Sequence, residues 1–355
     1  MASATTQRVV VRALLSLPTP VLRLMAGGGV VYQGGRTLDP RLQFLASQGR
    51  NATPMTRLSP QEARRTSAAA LAALAGDLEP GVRISPLTIP GPDPGPGPGG
   101  AIPARLYRPD TQNPDAPVMV FAHMGGGVIG DLETSHVFCA ILARTARAPV
   151  ISIDYRLAPE HRFPAGLDDT LAAFRYARDH ANDFGAPRGR AAIGGDSIGG
   201  NFAAVVCQEL KRLGEPQPAL QLLVYPCVDV ACERASMTTY ADAFPLNRAT
   251  MDWFMGHYLG PGDSPDDARL SPLRAPDLAG LAPAVVVTAG FDPLLDQGEA
   301  YARRLKAAGV ATVYRCYDGL AHAFASFTGA VPAADIAVRE IAGLVGDSFE
   351  GHVVG

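Results

Sequence analysis

Apolar and polar positions alternate in two different ways along the 355-residue chain. Residues 1–80 are rich in Ala, Leu and Arg, and their apolar residues recur at helical spacing over 9–25 and again over 60–75, where Ser59 or Thr66 would cap the helix. Beyond about residue 110, short apolar runs typical of buried strands alternate with helical stretches. This change of period predicts a helical N-terminal segment followed by an α/β fold.

The individual elements follow from the same pattern. The predicted strands are 117–122, 150–155, 191–194, 220–225, 284–288 and 312–316, and the predicted helices are 134–145, 165–180, 197–213, 247–259, 294–308 and 334–345. Their alternation indicates a mostly parallel central sheet with helices on both faces. Residues 89–103 run through Pro and Gly almost alternately, which excludes a helix or a central strand and predicts a turn between two edge strands, 82–89 and 101–107.

Composition and charge exclude several classes of protein. Apolar residues make up 47% of the chain and charged residues 18%, which is typical of a folded globular protein. The net charge of −3 argues against a nucleic-acid partner or an anionic membrane surface, since both require a basic excess. No apolar run reaches the roughly 20 residues of a membrane span, and Pro18 and Pro20 interrupt the first apolar run too early for a signal peptide. We therefore expect a cytoplasmic protein with no membrane span.

The cysteines indicate neither disulfides nor a metal. There are five, which are odd in number, scattered and mostly within apolar runs: Cys139, Cys207, Cys227, Cys232 and Cys316. Such thiols are expected to be buried and reduced. Cys227 and Cys232 lie five residues apart, but no second Cys or His pair completes a zinc-binding set. We expect no metal site.

A nucleophile is predicted at residue 197. The sequence Gly-Asp-Ser-Ile-Gly occupies 195–199, between a predicted strand and a predicted helix, which is the context that gives a Gly-x-Ser-x-Gly pattern its meaning. The turn is sharp, so glycines on both sides are needed to leave the Ser197 hydroxyl exposed. The alternative is a glycine-rich turn in which Ser197 only caps the helix.

A serine nucleophile requires a general base and an acid that orients it. His322 lies on a loop after the predicted strand 312–316, and Asp292 follows the predicted strand 284–288. The order Ser197, Asp292, His322 is that of an α/β-hydrolase triad. Asp296 is a rival acid, but it falls inside the following predicted helix, and we prefer Asp292.

The glycine-rich loop after the strand 117–122 has two interpretations. Gly125, Gly127 and Gly130 match Gly-x-Gly-x-x-Gly, with Asp154 near the place of a ribose-binding acid, which is typical of dinucleotide binding. Alternatively, the amides of Gly125 and Gly126, joined by that of Ile198, stabilise an oxyanion. Only the second interpretation also accounts for Ser197, Asp292 and His322, so we favour it.

These motifs together resemble the hormone-sensitive-lipase-like family, bacterial lipolytic family IV, on the α/β-hydrolase fold. The resemblance covers about residues 80–350 and is carried by 123–131, 154–165, 195–201, Asp292-Pro-Leu and the loop of His322. It implies hydrolysis of small carboxylic esters with short or medium acyl chains, without a cofactor. It also implies a helical cap made of residues 1–80 and 231–272 over a catalytic core of 81–230 and 273–355. Family members often associate through edge strands or terminal helices, so a homodimer is possible.

The chain departs from the usual family pattern near the expected pocket. Met124 replaces a glycine of His-Gly-Gly-Gly, Gly127 stands where a bulky residue is common, and Ile198 replaces the usual Ala. We therefore expect Met124 and Gly127 to shape the substrate site, with Gly127 making room for a bulky alcohol. In the predicted helix 247–259, one reading places four side chains at the substrate mouth, and the other packs them as an amphipathic face: Met251, Trp253, Phe254 and Tyr258.

Two further functions remain open from the sequence. One is non-catalytic ligand binding, as in the plant gibberellin receptors, which resemble the same family but lack the histidine. The presence of His322 argues against it. The other is hydrolysis of amides or lactones, which uses the same groups as ester hydrolysis and is not decided by the fold.

Overall fold

The computed structural model describes residues 4–93, 100–231 and 233–351. The helices in this part of the chain are α1 (Ala4–Leu15), α2 (Thr19–Met25), α3 (Pro40–Gly49), α4 (Pro60–Leu74), α5 (His136–Ala146), α6 (Ala165–Asp179), α7 (Ile198–Leu213), α8 (Ala235–Thr239), α9 (Arg248–Tyr258), α10 (Leu295–Ala307) and α11 (Pro332–Phe349). The strands are β1 (Tyr32–Gln33), β2 (Arg36–Thr37), β3 (Val82–Pro90), β4 (Ala101–Pro109), β5 (Val118–Ala122), β6 (Val150–Ile153), β7 (Ala191–Asp196), β8 (Gln221–Val224), β9 (Ala284–Phe291) and β10 (Thr312–Ala321).

An eight-stranded sheet forms the centre of the molecule, with the order β10-β9-β8-β7-β5-β6-β4-β3. The strands from β10 to β6 are parallel, while β4 pairs antiparallel with both β6 and β3. The predicted mostly parallel α/β sheet is confirmed. Because the carboxyl ends of the parallel strands meet at one edge of the sheet, the loops that follow β5, β7, β9 and β10 lie close together there.

Burial explains why the central strands appear as continuous apolar runs. Every residue of β5, β7, β8 and β9 is buried, since helices cover both faces of the sheet. One apolar cluster includes side chains of α6, α7 and α10, and a second includes side chains of α5 and α11. The sheet therefore separates two cores and is held rigidly by both.

The edge of the sheet differs from the expectation in one respect. β3 is an edge strand and is largely exposed, which tolerates the proline at Pro86. The prediction of β4 as a second edge strand was wrong, because β4 lies between β3 and β6. The middle of the Pro/Gly turn, residues 94–99, lies outside the described residues.

The N-terminal helices agree only in part with the predicted ones. The expected helix over 9–25 is divided, because α1 ends at Leu15 and α2 begins after Pro18. The sequence pattern also missed α3. Ser59, and not Thr66, caps α4 through a capping box with Glu62.

Of the strands that run past their predicted ends, β9 and β10 extend furthest. β9 continues to Phe291 and β10 to Ala321, with a register shift between Tyr317 and Ala321. Asp292 and His322 are consequently the first residues after the strands and not loop residues further along. In the described part of the chain, no helix combines the length and the apolarity that crossing a membrane requires.

Candidate active site

Ser197 occupies the sharp turn between β7 and α7. Its backbone has φ 56° and ψ −114°, a left-handed conformation that costs a residue with a Cβ atom about 1–3 kcal/mol. A Cβ on Gly195 would lie 2.3 Å from the carbonyl of Gly199, and a Cβ on Gly199 would lie 2.0 Å from the carbonyl oxygen of Ala122. The two glycines of the motif are therefore required by close backbone approach.

His322 and Asp292 form a line of hydrogen bonds that ends at this serine. The Ser197 hydroxyl lies 2.9 Å from His322 Nε2, and His322 Nδ1 lies 2.7 Å from Asp292 Oδ2. The other carboxylate oxygen of Asp292 accepts the amide N–H of Leu294 at 2.8 Å. All three side chains are buried. In this arrangement Nδ1 donates to the carboxylate and Nε2 accepts from the hydroxyl, which is the tautomer a general base needs.

Asp296 is held elsewhere. It lies in the first turn of α10, and its carboxylate accepts the amide N–H of Ser236 at 2.8 Å. The structure thus brings Asp292, and not Asp296, to the imidazole.

The loop after β5 places bare amides beside the serine. Gly125 and Gly126 have φ values of 130° and 61°, which favour glycine. A Cβ on Gly126 would lie 2.3 Å from Cγ of Phe254, so that α9 packs directly against the loop. Within the described residues, the N–H groups of Gly125, Gly126 and Ile198 have no acceptor. They are free to donate to a bound molecule.

His123 anchors the start of this loop. Its Nδ1 donates to the carbonyl oxygen of Met124 at 2.7 Å, its ring stacks on Tyr155 with centroids 4.3 Å apart, and its own carbonyl accepts the Tyr155 hydroxyl at 2.8 Å. Complete burial lowers the pKa of His123 to about 4. The ring is therefore neutral at pH 7, and its role is to hold the loop.

Asp196, directly before Ser197, is a buried carboxyl that the sequence pattern did not single out. It is 1% exposed and accepts the Tyr225 hydroxyl at 3.0 Å and the Ser135 hydroxyl at 3.4 Å. The backbone of Met124 faces the carboxylate and lowers its pKa. Burial raises its pKa to about 6. The sequence feature that could have identified it is an acidic residue at the end of an otherwise apolar, buried strand. A carboxylate in such a place needs hydrogen-bond donors around it.

A cavity of about 330 Å³ opens onto Ser197 and His322. Its walls are mainly apolar, and they include Leu71, Leu74, Ile129, Met251, Phe254 and Phe327. Both segments that the sequence assigns to a cap take part, since α4 supplies Leu71 and Leu74 and α9 supplies Met251 and Phe254. The site therefore suits a small apolar molecule that presents one polar group to the serine.

Of the six residues that the sequence offers for the substrate site, three line the cavity and three do not. Met124, Met251 and Phe254 are part of the wall, whereas Gly127, Trp253 and Tyr258 are not. The space beside Gly127 is occupied by Tyr258, whose ring would lie 2.6 Å from a Cβ there. Trp253 packs instead against the rings of Phe254 and His257.

No metal site is found in the described ranges. They contain no group of three or more His, Cys, Asp or Glu side chains placed to hold an ion. Four cysteines in these ranges are free thiols: Cys139, Cys207, Cys227 and Cys316. Cys232 lies outside the described residues.

Comparison with known proteins defines the class. Residues 119–326 match a family model described as the α/β hydrolase fold. The chain belongs to this family, in its hormone-sensitive-lipase-like branch.

Similar proteins were found among both curated proteins and solved structures. The chain is 44% identical over 330 residues to the carboxylic ester hydrolase LipN of Mycobacterium tuberculosis, covering 90% of this chain and 85% of LipN. It is 36% identical over 297 residues to the ethyl acetate hydrolase of Pseudomonas putida, covering 82% of this chain and 92% of that protein. An ester hydrolase from the metagenome of Lake Arreo, solved with a derivative of bipyridine phosphonate, superimposes with a TM-score of 0.83 at 41% identity, covering 88% of this chain and 99% of that one.

Proposed function

We propose that this protein is a serine carboxylesterase that hydrolyses small carboxylic esters through an acyl-enzyme intermediate. The observation that carries the proposal is the unbroken line of hydrogen bonds from Asp292 through His322 to Ser197. The ester-hydrolase names of LipN and of the ethyl acetate hydrolase support it.

In the acylation step, the Ser197 hydroxyl attacks the ester carbonyl and its proton passes to His322 Nε2. Asp292 holds the imidazole through Nδ1 and stabilises the positive charge that forms on it. The amides of Gly125, Gly126 and Ile198 donate to the oxyanion as the tetrahedral intermediate forms. Collapse of that intermediate breaks the bond to the alcohol, which leaves with the proton from His322.

Deacylation repeats these steps with water. His322 takes a proton from a water molecule, the resulting hydroxide attacks the acyl ester, and the same three amides stabilise the second oxyanion. The carboxylic acid is then released and Ser197 regains its proton. The ester and one water molecule are the only reactants that the two halves need in order to balance.

The size and the lining of the cavity support the proposal that the substrates are small esters with short or medium acyl chains. Its volume of about 330 Å³ and its apolar walls favour uncharged acyl groups. The walls contributed by α4 and α9 would act as the cap that the sequence predicts. The proposed domain boundaries are those of the sequence analysis: a cap of 1–80 and 231–272 over a core of 81–230 and 273–355.

The test compares wild type with Ser197→Ala on p-nitrophenyl acetate, butyrate and palmitate, with and without a chelator. We expect wild-type turnover of the two shorter esters that is insensitive to the chelator and lost in the variant. Absence of turnover by folded wild type would contradict the proposal and favour non-catalytic ligand binding. Faster turnover of matched amides or lactones would reassign the substrate class but keep the triad.

We further propose a reducing, cytoplasmic location and a homodimer. The location is supported by the three buried free thiols Cys139, Cys207 and Cys227. Cell fractionation tests the location, and light scattering of the purified protein tests the dimer. A secreted protein or a monomer would overturn the respective proposal.

A further inference from the structure

We propose that Asp196 is a positioning residue for both halves of the catalytic machinery, because it fixes the backbone of the oxyanion loop and, through Tyr225, the ring of His322. This inference rests on the proposed esterase function. It concerns a residue that takes no part in the proton transfers described above.

The first connection runs from Asp196 to the oxyanion loop. The backbone of Met124 faces the carboxylate, while the carbonyl oxygen of Met124 accepts His123 Nδ1–H at 2.7 Å. A trans peptide is planar, with its C=O and N–H on opposite sides. Fixing the Met124 carbonyl therefore fixes the direction of the Gly125 N–H, one of the proposed oxyanion donors. Asp196 thus lies against the residue whose carbonyl sets this direction.

The second connection runs from Asp196 to the imidazole. The Tyr225 hydroxyl donates to the carboxylate at 3.0 Å, and the Tyr225 ring lies against the His322 ring with centroids 4.8 Å apart. Tyr225 is 1% exposed and has φ 36°, an unfavourable conformation for a residue with a side chain. Such strain persists only where the surroundings hold it, and the hydrogen bond to Asp196 is one of those restraints.

Both connections depend on the charge of Asp196. An ionised carboxylate is a stronger acceptor than a neutral carboxyl, so its protonation would loosen the Met124 and Tyr225 contacts. The groups that face it are the Tyr225 and Ser135 hydroxyls, the Met124 amide, His322, Tyr155 and Cys139. Burial raises the pKa of Asp196, while the Tyr225 hydrogen bond lowers it. Removing the Tyr225 hydroxyl must therefore raise this pKa and move the loss of activity to higher pH.

The experiment measures kcat and KM for p-nitrophenyl butyrate between pH 5 and 8 in wild type, Asp196→Asn and Tyr225→Phe. Asparagine retains the size of the side chain but cannot ionise. We expect its kcat to fall by about tenfold or more with KM changed less than about twofold, since the charged acceptor of the Tyr225 hydroxyl is replaced by a neutral one. The fall of its kcat towards low pH, which is the acid limb of the pH profile, should also be shallower, because one titrating group is gone.

Tyr225→Phe keeps the ring against His322 and removes only the hydroxyl. We expect its acid limb to move to higher pH by about half a unit or more. Tyr301→Phe is the matched control, since Tyr301 is also buried and hydrogen-bonded, to Gln208 at 3.1 Å, but is not one of the groups that face Asp196. Its limb should stay at the wild-type position.

The outcomes separate this inference from the proposed function. Wild-type kcat and an unchanged acid limb in Asp196→Asn and Tyr225→Phe would overturn the positioning role while leaving the esterase intact. If Asp196→Asn does not fold, Tyr225→Phe alone tests the positioning role: a shift of its acid limb to higher pH supports that role, and no shift or a shift to lower pH overturns it. A lack of Ser197-dependent turnover in wild type would instead overturn the function itself.

Discussion

The backbone strain at Ser197 predicts that glycine at this position makes the protein more stable than alanine does, which is the reverse of the usual effect. At most positions, replacing alanine by glycine destabilises a protein by about 0.5–1 kcal/mol, because the unfolded chain gains freedom. At φ 56° and ψ −114° a Cβ atom costs about 1–3 kcal/mol, and glycine avoids this cost. Ser197→Gly should therefore be more stable than Ser197→Ala by about 1 kcal/mol. Both variants lack the hydroxyl, so the comparison isolates the Cβ atom.

Urea unfolding followed by fluorescence or circular dichroism measures this difference. With an m-value of about 3 kcal/mol/M, the midpoint of Ser197→Gly should lie about 0.3 M above that of Ser197→Ala. Ala69→Gly, at an exposed position inside α4, is the control and should be less stable than wild type by about 1 kcal/mol. Equal midpoints for the two Ser197 variants, or the usual loss with glycine, would refute the reasoning that the turn is strained.

Three further predictions follow from the site. Gly127→Ala should destabilise the protein by about 1–3 kcal/mol, because its Cβ would meet the Tyr258 ring at 2.6 Å. The ratio of the hydrolysis rates of tert-butyl acetate and ethyl acetate should not change. A changed ratio would show that Gly127 contributes to the substrate pocket. Asp292→Asn should lower kcat by about 10³–10⁴-fold with little change in KM, because the amide favours the wrong tautomer of His322, and a loss below tenfold would contradict that role. The pKa of His123 is lowered to about 4, so the folded state binds its proton less tightly than the unfolded state, and the stability from this group is lost as pH falls from about 6.5 towards 4. Urea midpoints at pH 7 and 5 should differ less in His123→Gln than in wild type, and equal differences would count against a buried neutral imidazole.

The sequence was most informative where local chemistry leaves few choices. The turn at 195–199 was predictable because its glycines are required by contacts below 3 Å that no side chain tolerates. The sheet was predictable because buried parallel strands appear as apolar runs. Asp292 and His322 were recognised by residue type and order, and the structure places them within hydrogen-bond distance of each other.

Other features depend on tertiary contacts that no local pattern encodes. β9 and β10 were predicted too short because Gly290 and Gly319 indicate turns, whereas Gly290 lies inside β9, where a Cβ would be 2.1 Å from the backbone of Asp318. The sequence also did not determine which face of α9 lies towards the cavity. It therefore could not show that Phe254 lines the cavity and Trp253 does not. The partnership of Asp196 with Tyr225 joins residues 29 positions apart, and only the folded sheet brings them together.

The position of β10 at one edge of the sheet has a consequence for how the protein acquires its activity during synthesis. His322 follows β10, and within the described sheet β10 pairs with β9, which precedes it in the chain. A ribosome adding about 5–20 residues per second needs several seconds to travel from Ser197 to His322. During that interval Ser197 exists without His322. With the roles proposed for these two residues, hydrolysis begins only after β10 has joined the sheet, so a chain that ends before His322 would remain inactive.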